Sequence, residues 1–233
     1  MSIITTGNSW DALRRFTQAR IALGRAGTSL PTRAHLEFQL AHARARDAVH
    51  HALDAESMAS ALLSRGLRSF VVHSSAPDRA SYLQRPDLGR LLSERSTELM
   101  ATLAGERADV SLVIADGLSA FAIEQNALPL VDVLIPRLQA IGLTLAPVAI
   151  VRQGRVAIGD PIARSLGARL VVVLIGERPG LSSPDSMGIY MTWSPVAGTT
   201  DAQRNCISNI RRDGLAHDAA GFRLVYLITE AFR

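Results

Sequence analysis

Three short apolar runs, at residues 110–115, 145–151 and 170–175, most constrain what this chain can fold into. Each is rich in β-branched residues and apolar at consecutive positions rather than alternating ones. That is the pattern of a strand covered on both faces. Between the first two lie residues 118–141, long enough for the helical crossover that a parallel pair requires, although Pro129 and Pro136 are expected to kink or break it. Residues 160–166 give a shorter crossover between the second and third runs. A later strand at 189–193 and a C-terminal helix through Phe222, Val225, Ile228 and Phe232 complete the pattern. Repeated strand, helix and strand units imply an α/β fold, here a mostly parallel, Rossmann-like sheet flanked by helices.

The first hundred residues read instead as helical. A short segment carries Trp10, Leu13, Phe16 and Ile21, with Ser9 as its expected cap, and stops at Gly24-Arg25-Ala26-Gly27. A second helix is expected over residues 32–53, where Pro31 at the start removes no needed amide donor. A third follows the Arg85-Pro86-Asp87 turn, with Leu88, Leu92, Leu99 and Leu103 toward one face. The expected organisation is a helical N-terminal region over 1–105, suited to docking, and an α/β domain over 106–233, with the boundary near residues 104–109.

Composition removes several function classes. All 25 basic residues are arginine, the net charge is +4 and the pI is about 10.1. The arginines are scattered among acids, as in Asp78-Arg79 and Glu177-Arg178, and aromatics make up only 5% of the chain, so no nucleic-acid partner is expected. The single cysteine, Cys206, excludes an intrachain disulfide and suits a reducing compartment, so cytoplasmic residence is expected. The N-terminus lacks the pattern of a secretory signal, and no apolar run approaches the ~20 residues of a membrane span.

In open α/β sheets, ligands bind beyond the carboxyl ends of the strands. The loops there read Ala115-Asp116-Gly117-Leu118-Ser119, then Arg152-Gln153-Gly154-Arg155-Val156, then Gly176-Glu177-Arg178-Pro179-Gly180. Pro179-Gly180 suits the two central positions of a type II turn that would hold Glu177 and Arg178 in place. On spacing alone, a polar surface turn is the commoner use of such residues. No P-loop or GxGxxG fingerprint follows any expected strand, and the six histidines include no HExxH, so neither a phosphate cradle nor a metal site is expected. Thr200-Asp201-Ala202-Gln203 has the form of a capping box, which places Cys206 on the second turn of a short helix.

These same segments resemble a known family. GERPGLSSPDSMGIYMTWSP at residues 176–195 and RNCISNIR at 204–211 resemble the ethanolamine ammonia-lyase small subunit. LGRAGTSLPTRAHLEFQLAHARARDAV at 23–49, YLQRPDLGR at 82–90, DVSLVIADGLSA at 109–120 and VRQGRVAIGD at 151–160 follow the family in the same order, so the resemblance covers nearly the whole chain from about residue 10. It implies a hetero-oligomer in which a larger, barrel-shaped subunit holds the substrate ethanolamine. The small subunit would close over adenosylcobalamin at the interface and carry no catalytic residue of its own. The cofactor would supply the radical chemistry that turns ethanolamine into acetaldehyde and ammonia.

Matched motif by motif, the implied cofactor contacts fall on Val156 in GRVAIGD, Glu177 in GERPG and Cys206 in RNCISNI, with no metal ligand from this chain. No histidine has an aspartate two residues before it, in keeping with a cobalamin that retains its own lower base. Relatives found in bacterial microcompartments carry an N-terminal extension ahead of the conserved region. This chain begins close to that region, so the cytoplasm is the expected location. A free-standing α/β ligand-binding module is the alternative reading.

Overall fold

The computed structural model describes residues 5–103 and 107–233. Its centre is a six-stranded sheet in the order β1-β3-β2-β4-β5-β6, made of β1 (Ser69–His73), β2 (Val110–Ala115), β3 (Val148–Arg152), β4 (Leu170–Gly176), β5 (Met187–Trp193) and β6 (Asn205–Ile210). The expected apolar runs become β2, β3 and β4, three of the four inner strands, and every residue of β2 and β4 is buried. One face packs against α2 (Ala55–Leu63), α5 (Ala120–Ala140) and α7 (His217–Ala231), through Leu112, Ile114, Leu130, Leu134 and Leu224 among others. The other packs against α4 (Glu94–Thr102) and α6 (Gly159–Ser165), through Met100, Val113, Ile162 and Val173.

The sheet is mixed rather than mostly parallel and Rossmann-like. β1, β3, β2 and β4 run parallel, but β5 is antiparallel to β4 and β6 to β5. The cause lies in the connections: residues 177–186 and 194–204 contain no crossover helix and are shorter than a parallel return needs.

The N-terminal half is also not purely helical. β1 lies within it and pairs with β3, so the sheet draws on both halves of the chain. Of the boundary expected near residues 104–109, residues 104–106 lie outside the described residues. The expected third helix divides into a 3-10 turn at Leu88–Arg90 and α4, which starts where the Ser93 hydroxyl accepts the Ser96 N–H. The segment expected to begin at Ser9 is a 3-10 helix, Asp11–Phe16, without a side-chain cap. α1 (Thr32–His50) ends three residues before the expected limit, and Ala48 is its one buried residue.

The crossover expected to break at its prolines is the continuous helix α5. Pro129 and Pro136 stand seven positions apart, both exposed, as are Gln125 and Asp132, whose carbonyls lose their partners. Those carbonyls are on the solvent side, and the helix continues because the missing bonds all lie there. On the buried side, Asn126 Nδ2 donates to the Ala122 and Asp185 carbonyls (2.9 and 2.8 Å), so its Oδ1 accepts from His217 Nε2–H (2.9 Å). This bond joins α5 to the start of α7.

Desolvation holds the His217 pKa below its ordinary 6.5, so the fold favours the neutral ring. The resulting stability is complete above pH 6.5 and is lost as pH falls through the lower, folded-state value. Thermal melts between pH 7 and pH 5 are expected to show a smaller loss of stability for His217→Gln than for the parent chain.

Candidate functional site

The carboxyl ends of β2, β3 and β4 open on a cleft of about 250 Å3 lined by Tyr82, Arg155, Val156, Glu177, Arg178 and Tyr190, over a floor that includes Gly117 and Gly176. The floor is backbone against backbone. Gly117, at φ +58°, lies so close to Gly176 that a Cβ on it would stand 2.3 Å from the Gly176 carbonyl oxygen. Only glycine permits that approach and that φ together.

Asp116, just before, is buried. Its carboxylate accepts the N–H of Gln153 (2.9 Å) and of Gly154 (3.0 Å), which pins the loop after β3 to the end of β2. Burial pushes the Asp116 pKa upward, while those two donors and Arg79, 3.7 Å away, act against the shift. The Tyr82 hydroxyl donates to the Gly154 carbonyl (2.9 Å), bracing the same loop from α3 (Arg79–Gln84).

This bracing fixes Val156. It is the first residue of a 3-10 turn, Val156–Ile158, that runs into α6, so its N–H has no carbonyl within the turn to bond, and the residue lines the cleft. Glu177 follows β4 directly. Its side chain crosses β5 over Gly188, where a Cβ would lie 3.0 Å from Glu177 Oε1, and reaches β6. There Ser208 Oγ donates to Oε1 (2.5 Å), Ser186 Oγ to Oε2 (2.5 Å) and the Asn209 N–H to Oε2 (3.3 Å).

The β6 register shifts opposite residues 187–189, and Asn209 sits there at φ +61°. This irregularity aims both the Ser208 hydroxyl and the Asn209 N–H at one carboxylate, a common use of a bulge. A carboxylate has about four lone-pair sites, so three filled positions leave roughly one for an external donor.

The turn that shapes this loop is centred on Leu181 and Ser182, not Pro179 and Gly180. Gly180 and Ser183 exchange backbone hydrogen bonds (3.2 and 3.1 Å), and Gly180 lacks the positive φ that a type II turn demands. Arg20 ties the N-terminal segment to the turn by donating to the Leu181 carbonyl (3.2 Å).

Cys206 lies on β6 and not on a helix. The capping box at Thr200 and Gln203 forms, but it closes a single 3-10 turn, Asp201–Gln203, and the chain then extends. Cys206 stands directly across from Tyr190, so it lies one strand beyond the cleft rather than inside it, and it also borders a second cavity with Phe222 and Tyr226. Partial desolvation pushes its thiol pKa upward, against the lowering influence of the Tyr190 hydroxyl. Tyr190 itself is pushed up to about 12 by burial first and by Cys206 second.

Two segments of the site are locked together by one ion pair. Arg204, whose side chain is 1% exposed, donates through both Nη atoms to the Asp160 carboxylate (2.7 Å each). It also donates to Thr192 Oγ1 (2.8 Å). The start of α6, behind Val156, is thereby bound to the approach to Cys206. The motif resemblance named Val156, Glu177 and Cys206, and the loop reading included Asp116 without giving it a role, but neither singled out Tyr82, Tyr190 or this pair. Only Asp116, set beside a glycine at the end of an apolar run, left a local signal.

These features make an open α/β cleft that joins a braced carboxylate acceptor to tyrosine walls. No cluster of three or more potential metal ligands occurs among the described residues. Residues 7–233 match the family described as ethanolamine ammonia-lyase light chain (EutC). The chain is 56% identical over 232 residues to the ethanolamine ammonia-lyase small subunit of Azotobacter vinelandii, covering 98% of this chain and 86% of that one. It is 57% identical over 229 residues to the small subunit of Xanthomonas campestris pv. campestris, covering 97% and 84%. The corresponding figures for Pseudomonas putida KT2440 are 55% over 232 residues, covering 98% and 85%. The chain belongs to the ethanolamine ammonia-lyase light chain family and is a lyase subunit.

Asp160→Ala, which leaves the buried Arg204 guanidinium with only the exposed Asp201 carboxylate, 3.2 Å from its Nε, is expected to cost about 3 kcal/mol in urea denaturation, the low end of the range for breaking a buried pair.

Proposed function

We propose that this chain is the cofactor-contacting small subunit of an adenosylcobalamin-dependent ethanolamine ammonia-lyase, with Val156, Glu177 and Cys206 contributing to the cofactor surface. When bound, the cofactor supplies radical chemistry for the release of ammonia from ethanolamine, with acetaldehyde as the other product. The observation that carries this reading is the pairing of an unbonded Val156 N–H with a Glu177 carboxylate that three donors hold open on one side. A corrin is fringed with neutral amides that both donate and accept, so one fixed donor and one fixed acceptor on a common wall fit it. Tyr190 adds an apolar face between Glu177 and Cys206.

The size of the cleft supports a shared site. About 250 Å3 is below the ~300–1,000 Å3 of pockets that enclose drug-sized ligands, and a corrinoid is larger still. This chain offers one wall, and a large subunit supplies the rest together with the residues that act on ethanolamine.

The N-terminal region, 1–105, is the proposed docking surface for that subunit. Trp10 and Phe16 are 64% and 72% exposed, and Leu36, Phe38 and Leu40 are exposed on α1. So much large apolar surface on one region marks an interaction site. No helix among the described residues is long and apolar enough to cross a membrane. The cytoplasm is the proposed location, in keeping with a single cysteine suited to a reducing compartment.

Acetaldehyde formation from ethanolamine and adenosylcobalamin is expected from a relative's large subunit only when this chain is present. Failure to co-purify with that subunit would favour a free-standing ligand-binding module. In the active complex, Glu177→Ala is expected to weaken cobalamin binding about tenfold, the scale of one lost hydrogen bond to a charged group, as measured by equilibrium dialysis.

A further inference from the structure

Arg155 stands at the wall of the same cleft with its charge unanswered. Its Cζ lies 4.3 Å from the centroid of the Tyr82 ring, and Arg79 Cζ lies 4.8 Å from that centroid. Two guanidinium groups therefore share one aromatic ring. Asp116, 3.7 Å from Arg79, compensates one of them. Among the described residues, no carboxylate lies within ion-pair distance of Arg155, and Glu177 directs its oxygens to Ser186, Ser208 and Asn209 instead.

Hydrogen bonding leaves Arg155 equally unsatisfied. Its Nε is buried with no partner, and Nη2 reaches only the Tyr82 carbonyl, at 3.3 Å. The residue is nevertheless fixed in place. Its own N–H donates to the Gly89 carbonyl (2.7 Å), and its stem packs so closely on Gly89 that a Cβ there would lie 2.8 Å from Arg155 Cγ. Arg178, on the same rim, is exposed and has water for its charge. A half-buried guanidinium that is held rigidly and short of both acceptors and counter-charge is arranged for an anion from outside the chain.

We propose that Arg155 is the anion-recognition group of the cleft and that it pairs with the phosphodiester joining the corrin to its lower nucleotide. The proposal rests on the reading that the cleft contributes to a cobalamin site. The charge match favours this partner. The groups around the corrin rim are neutral amides, the phosphodiester carries the negative charge of the nucleotide tail, and the wall offers one uncompensated cation.

The test uses the complex of this chain with a relative's large subunit and compares binding of cobalamin with that of cobinamide, which lacks the phosphate, ribose and base. Binding is read by equilibrium dialysis and the visible corrin spectrum, without turnover. Arg155→Gln is expected to weaken cobalamin binding roughly 10- to 100-fold, the span of a charge-assisted hydrogen bond, and to change cobinamide binding less than about twofold. Arg155→Lys, which keeps the charge without the planar face, is expected to restore most of the cobalamin affinity, and that recovery would separate charge pairing from stacking on the base.

Equal weakening of both ligands by Arg155→Gln would overturn the proposal, because the contact would then be to the corrin rim. Unchanged cobalamin affinity would overturn it as well. Loss of assembly with the large subunit would assign Arg155 to a carboxylate of that partner and likewise overturn it. A parent complex that binds neither ligand would remove the cobalamin reading itself, and the proposal with it.

Discussion

The buried carboxylate of Asp116 joins three parts of the chain that sequence keeps far apart. It ends β2, accepts two N–H groups from the loop after β3, and sits beside an arginine from α3. Burying a carboxylate is costly unless its oxygens are bonded, so the loop that carries Arg155 and Val156 has a strong reason to keep this one shape. Arg79 reinforces the arrangement by donating to the Val49 carbonyl (2.6 Å) and to the Gly117 carbonyl (2.9 Å), which brings the end of α1 to the same point. The geometry of the cleft follows from this junction and from the glycine contact beneath it.

How legible each element was depends on how completely it is buried. β2 and β4 are apolar at every position or nearly so, and could be read directly from the sequence. β1 buries only Val72 fully, and β6 buries only Ile207 and Ile210, so neither carries the apolar run that marks an inner strand. At β6 a true local signal misled: the capping box forms, but the residues after it pair with β5 and do not continue the turn. The directions of β5 and β6 are set by connections that hold no crossover helix, so apolar patterning alone does not reveal them. The motif resemblance named Val156, Glu177 and Cys206, of which Val156 and Glu177 line the cleft. Their supports, Tyr82, Asp160, Ser208 and Arg204, act across long sequence separations and leave no local pattern.

The molecule divides its surface between two tasks. The sheet and its helices bury a continuous core on both faces, while residues 5–50 carry large apolar groups that the rest of the chain does not cover. The two tasks meet at the loop after β4. Arg20 holds the Leu181 carbonyl there, and Arg211 donates to Gln18 (3.4 Å) and to the Ser182 carbonyl (3.2 Å). A partner that grips the N-terminal segment therefore pulls on the turn next to Glu177.

The brace on Glu177 has a dynamic side. Two of its three donors, Ser208 and Asn209, come from β6, the last strand of the sheet, whose outer edge is bonded only at its end, where the Asn209 carbonyl and the Arg211 N–H meet Leu215. Edge strands open locally at lower free energy than inner ones. Each such fraying event frees the carboxylate to swing and refill its shell from water, whereas a surface seated along β6 suppresses it. The preorganisation of the acceptor thus depends on the last strand of the sheet keeping its place.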